Sequence, residues 1–171
     1  MKLKAVIVVI AFVSTIVLAN WLTANYGLIP VGFGLLATAG TYAAGMSFVV
    51  RDLVHEYGGA TVAVAAIVLG ALMSWVLSSP QLAIASGVTF LVAELLDLAV
   101  YVPLRERGLV RAAVASNVIG FTADTFLFLY LAGFAITGPV IAGQLLAKVC
   151  MTALGVAVLV AWRHHPVVGV E

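Results

Sequence analysis

Apolar runs of about twenty residues follow one another along almost the whole chain. A helix of that length crosses the ~30 Å hydrocarbon core of a bilayer. Six such runs are read, at about residues 4–26, 31–56, 60–78, 81–104, 110–131 and 139–162. Of 171 residues, 64 % are hydrophobic and only 9 % charged, against about 25 % charged in an ordinary soluble domain. So little polar surface cannot cover a soluble globule. The expectation is an all-α membrane protein, one integral membrane domain with six transmembrane helices and lipid as its main surrounding. The net charge of +1 argues against nucleic acid as a partner. The single cysteine, Cys150, falls in an apolar run and reads as a small packing residue.

The first run also has the outline of a signal peptide, with Lys2 and Lys4 in front and Val17 and Ala19 at plausible cleavage positions. It continues through Trp21 and Leu22, and its removal would leave an odd number of spans, so it is read as a span. The second run is rich in small residues (Gly32, Gly34, Ala37, Ala39, Gly40, Gly45), which let helix backbones approach closely in lipid. It ends in Arg51-Asp52 and His55-Glu56 and breaks at Gly58-Gly59. Asp52, His55 and Glu56 read as a solvated helix end rather than a metal site.

With six spans, Lys2, Lys4, Arg51, Arg105, Arg107, Arg111 and Arg163 all fall on one side, while the loops on the other side carry no charge. This positive-inside pattern places both termini in the cytoplasm of a multi-pass membrane protein. The remaining basic residue, Lys148, lies inside a span.

Ionisable groups within apolar spans are expensive and by default mark a functional site. Phe90, Glu94, Asp97 and Tyr101 share one face of the fourth helix, and Asn117, Phe121, Asp124 and Phe128 one face of the fifth. Gln144, Lys148 and Thr152 form a stripe on the sixth. The three stripes should face one another. At 1.5 Å per residue, Asp124 and Lys148 both lie roughly 12–14 Å deep. They are expected to form an ion pair, whose role could be packing alone. Asp97 could equally be only the acidic half of a salt bridge with Arg105 or Arg111. There is no glycine-rich phosphate loop, no zinc-ligand cluster and no nucleophile–base pair at a recognisable spacing. The expectation is a non-enzyme with no catalytic residue, metal or cofactor.

The sequence Glu94-Leu-Leu-Asp97 with Tyr101, Leu104-Arg105 and Arg111, followed by Ser116-Asn117-x-x-Gly120-x-x-x-Asp124-Thr125 and Phe128, resembles the vitamin-uptake-transporter family, associated with queuosine precursors. Asp52 with Glu56-Tyr57-Gly58 resembles the family's second-helix ending, and Lys148 falls where the family tends to place a lysine. The resemblance implies a six-helix fold similar to the substrate-binding subunits of energy-coupling-factor (ECF) transporters. It also implies uptake of 7-cyano-7-deazaguanine or a related deazapurine across the inner membrane. The implied partner is then a deazaguanine-type small molecule, with homo-oligomerisation left open. A carboxylate suits the two parallel donors of a guanine-type edge, and aromatic rings suit its plane. Asp97, Asp124, Glu94 and Asn117 are the expected polar site residues, and Phe90, Tyr42 and Phe121 the stacking ones. Two alternatives remain at this level: a vitamin-binding subunit of an ATP-driven ECF-type transporter, and a structural membrane subunit.

Overall fold

The computed structural model describes residues 3–164. Lys2 and His165, and the side chains of Tyr101, Arg105, Trp162 and Arg163, lie outside the described residues. Five helices and one short hairpin follow in order. They are α1 (Leu3–Tyr26), β1 (Leu28–Gly32), β2 (Leu35–Thr38), α2 (Thr41–Leu77), α3 (Pro80–Arg105), α4 (Leu109–Ala132) and α5 (Gly138–His164). All five helices contain a stretch long and apolar enough to cross a membrane, and the chain is a multi-pass membrane protein.

The hairpin corrects the reading of residues 31–56 as one helix: helix begins only at Thr41. Pro30 cannot donate a helical hydrogen bond. At the tip, Gly32, Phe33 and Gly34 all adopt positive φ, at 96°, 54° and 73°, which no right-handed helix tolerates. The strands pair antiparallel, with Leu28 opposite Thr38 and Ile29 opposite Ala37. Ala39 N–H donates to the Gly27 carbonyl at 2.8 Å and closes the base. Of the small residues taken for a helix-packing surface, Gly32, Gly34 and Ala37 serve the hairpin instead, while Gly40 and Gly45 do pack closely against α1 and α5.

Helix α2 has 37 residues, and a straight helix of that length would span about 55 Å. It is not straight. Gly59 sits at φ 80°, ψ 175°, a region essentially reserved for glycine. A Cβ on Gly40 would meet Ala19 and Thr23 of α1, while one on Gly70 would meet Ile16 of that same helix. A straight helix would separate residues 40 and 70 by about 45 Å, yet both touch one short stretch of α1. The chain therefore turns back at Gly59.

The apolar core is a cluster around Phe12, Val13, Ile16, Phe48, Ile67, Phe90 and Phe121. Many large apolar side chains instead point outward: Leu95 is 67 % exposed, Val76 80 % and Tyr130 72 %. Polar groups such as Asn20, Thr41, Gln144 and Lys148 are buried. A surface more apolar than the interior is the arrangement lipid favours.

Candidate functional site

The buried polar residues converge beneath the hairpin. Thr38 ends β2, Thr41 opens α2, and Gln144 projects from α5. Thr41 donates to Gln144 Oε1 at 2.7 Å, and Gln144 Nε2 donates to Thr38 Oγ1 at 3.1 Å. The Thr38 and Thr41 hydroxyls lie 2.8 Å apart. Thr41 has already used its only proton on Gln144, so Thr38 is the donor to Thr41. The three side chains thus form a closed ring of hydrogen bonds that fastens the hairpin to α2 and α5. The hairpin also sits directly on α5: a Cβ on Gly143 would lie 2.1 Å from the Leu36 carbonyl oxygen.

Behind this ring lies a cavity of about 30 Å³. Its walls include Asn20 and Thr23 from α1, Thr38 and Thr41, Ser86 and Phe90 from α3, Asp124 and Phe128 from α4, and Gln144. Asn20 Nδ2 donates to Ser86 Oγ at 2.8 Å, and Gly40 N–H donates to Thr23 Oγ1 at 3.1 Å. The side chains come from every helix and from the hairpin.

Asp124 is fixed from behind. Lys148 Nζ donates to Asp124 Oδ2 and to Thr125 Oγ1 at 2.8 Å. Lys148 is only 2 % exposed and does not reach the cavity wall. Its backbone can lie close to α2 because Gly45 leaves room there: a Cβ on Gly45 would fall 3.1 Å from Lys148 Cα. Asp124 Oδ1 has no protein partner among the described residues, so the carboxylate presents one anchored and one free oxygen.

On the side of the cavity away from the hairpin, three rings form a layer. Phe48 and Phe90 stack with centroids 5.4 Å apart, and Phe48 meets Phe121 edge-on at 4.8 Å. Each ring is one helical turn from a charge: Phe48 from Arg51, Phe90 from Glu94 and Phe121 from Asp124. Because α4 runs opposite to α3, Asp124 lies on the cavity side of the layer, and Arg51 and Glu94 lie beyond it. There Arg51 Nη1 pairs with Glu94 Oε2, and His55 Nε2 lies 3.1 Å from Glu94 Oε1. Arg51 also pairs with Asp52 at 2.8 Å and packs its guanidinium 5.6 Å from the Phe48 ring centroid. Arg51 is only 7 % exposed. A carboxylate on α3 and a ring on its own helix draw it inward.

The expected site residues therefore separate into groups. Asp124 and Phe90 border the cavity. Phe121 lies in the aromatic layer. Glu94 is held in the ion-paired cluster. Asp97 is half-buried near Gly120 of α4, whose Cβ would lie 3.9 Å from Asp97 Oδ1. Tyr42 is half-buried and outside the cavity wall, and Asn117 is exposed. Sequence reasoning did not select Asn20, Thr23, Thr38, Thr41 or Ser86. The only signal for Asn20 was an amide well inside an apolar run, which Asn25 shares near the run's end. For Thr38 and Thr41 there was none, since their placement depends on the hairpin.

The chain matches the family model described as "Putative vitamin uptake transporter" over residues 71–162, a little more than half its length. No curated protein and no solved structure matches it significantly. The matched segment carries α3, α4 and most of α5, hence Ser86, Phe90, Glu94, Asp124, Gln144 and Lys148. The chain belongs to the vitamin uptake transporter family.

Proposed function

We propose that the chain imports a queuosine precursor, 7-cyano-7-deazaguanine or a related deazapurine, across the inner membrane. The observation that carries this reading is Asp124. Its free carboxylate oxygen borders a small cavity flanked by the Phe90 and Phe128 rings. Such a group accepts hydrogen bonds from a guanine-type edge, and flanking rings suit a flat base. The cavity, about 30 Å³, is far below the ~300–1,000 Å³ of typical ligand pockets. Loading then requires the Thr38–Thr41–Gln144 ring to part and the hairpin to lift. The decisive experiment supplies 7-cyano-7-deazaguanine to cells unable to make it, with and without this chain. Queuosine should appear in tRNA only with the chain, and equal modification in both would refute the reading.

The same proposal includes six crossings with both termini in the cytoplasm. It is supported by the turn at Gly59, which makes two antiparallel halves of α2, and by the one-sided basic residues. Reporters fused after Glu171 and within residues 133–138 should lie on opposite sides. Finding both on one side would end the six-crossing arrangement.

A further inference from the structure

Asn20 is the one amide that α1 contributes to the cavity wall, and it is 2 % exposed. Its Nδ2 donates to Ser86 Oγ at 2.8 Å. Ser86 spends its own proton on the Ala83 carbonyl at 3.4 Å, leaving its oxygen to accept. That fixes which end of the amide faces Ser86. The other end, Oδ1, has no protein partner among the described residues and belongs to a side chain of the cavity wall. A carbonyl oxygen of the cavity wall that no protein group donates to is open to a donor from water or from a bound molecule.

The other unspent groups of the wall have complementary character. Asp124 offers a second acceptor through Oδ1. Gln144 uses one proton of Nε2 on Thr38 and keeps the other. Thr23 Oγ1 accepts from Gly40 N–H and retains its hydroxyl proton. Two acceptors, on α1 and α4, and two donors, on α5 and α1, therefore border one cavity. A molecule that satisfies both kinds carries at least two N–H donors and a carbonyl acceptor, which is the pattern of an amino-substituted cyclic amide. Of the donors on such a ring, the more acidic ring N–H makes the stronger bond to the charged acceptor, Asp124. The exocyclic amine is left for the neutral one.

We infer that Asn20 is a specificity-determining residue that accepts a hydrogen bond from the exocyclic amino group of the transported base, while Asp124 takes the ring N–H. This rests on the deazaguanine reading of the chamber and names a contact outside the segment that carries the family match.

The test measures affinity of the purified full chain for 7-cyano-7-deazaguanine and for the same base lacking its amino group. The wild-type protein should prefer the amino base by about 5- to 100-fold, the range expected when a buried acceptor loses its donor. Asn20→Ala should bind both bases with similar affinity. Asn20→Ser, which keeps a hydroxyl against Ser86 and removes the carbonyl, should lose the preference in the same way. Thermal unfolding identifies which variants are folded, and either folded variant decides. A folded variant that retains the wild-type preference would overturn the role of Asn20 and leave the proposed function standing. A wild-type protein that binds neither base would overturn the substrate class itself, and this inference with it.

Discussion

Replacing Lys148 by methionine removes one charge from the most buried ion pair among the described residues while nearly conserving volume. Lys148 is 2 % exposed and Asp124 5 %, so little solvent is available to take over from either partner. Breaking a buried pair by removing one member costs about 3–5 kcal/mol, and a lone charge near mid-membrane costs about 2.5–3.5 kcal/mol on insertion scales. The two ranges overlap near 3 kcal/mol. For a chain of this size, that lowers Tm by roughly 6–12 °C. Asp124→Leu should be comparably damaging, since it strands the ammonium with only Thr125 Oγ1 as partner. The double variant Asp124→Leu/Lys148→Met replaces the pair by apolar groups and should recover most of the lost stability. Uptake should not recover, because the carboxylate that faces the cavity is absent. The assay is thermal unfolding of the four purified proteins together with transport in cells. Strictly additive losses of stability would show that the pair carries no coupling energy and would refute the argument. Full recovery of uptake in the double variant would instead remove Asp124 from the substrate path.

Three further outcomes are expected. Gly143→Ala pushes a methyl group against the Leu36 carbonyl at 2.1 Å, so the hairpin must leave its seat on α5; a loss of about 1–3 kcal/mol should appear as increased labelling of a cysteine placed at Ala37, which is 0 % exposed, and unchanged labelling would argue against a seated hairpin. Gly59→Ala forces a side chain into φ 80°, ψ 175°, which should cost about 1–3 kcal/mol in thermal unfolding; a neutral result would mean that the turn tolerates other backbone geometry. Arg51→Met should destabilise by about 3 kcal/mol because Glu94 keeps its charge with only His55 beside it, and adding Glu94→Gln should restore much of that; no rescue would show that Arg51 acts through Phe48 or Asp52 instead.

The extents of α3, α4 and α5 were legible because each apolar run is bracketed by residues that stop or start helices: Pro80, Gly108, Gly133 and Pro139. The Asp124–Lys148 contact was legible from equal depth on consecutive helices. The hairpin was not, because Leu28, Ile29, Val31, Leu35 and Leu36 are as apolar as any span, and only Pro30 with the Gly32–Gly34 pair broke the pattern. The inward pairing of Arg51 was not legible for a related reason: at the end of an apolar run, a cation that reaches solvent and one that folds back on a carboxylate look alike. The face of α1 that carries Asn20 could not be chosen without knowing that Ser86 lies opposite. Residues supplied by one helix follow from periodicity, whereas those that depend on how two elements meet do not.

The cavity is closed by different chemistry at its two ends, and the difference sets the order in which they open. On the hairpin side the seal is the Thr38–Thr41–Gln144 ring, three neutral hydrogen bonds worth about 1 kcal/mol each net. Water or a polar solute can replace each of them as it parts. On the other side the Phe48, Phe90 and Phe121 contacts must separate, and behind them the buried Arg51–Glu94 pair ties α2 to α3. Separating that pair alone costs about 3–5 kcal/mol unless another charge takes the place of one partner, and His55 on the second Glu94 oxygen is the nearest candidate. The hairpin side is thus the weaker seal and should open first. Hydrogen exchange should find residues 28–38 opening at lower free energy than residues 48–55; the reverse order would make the ion-paired side the weaker seal and exclude this sequence of events.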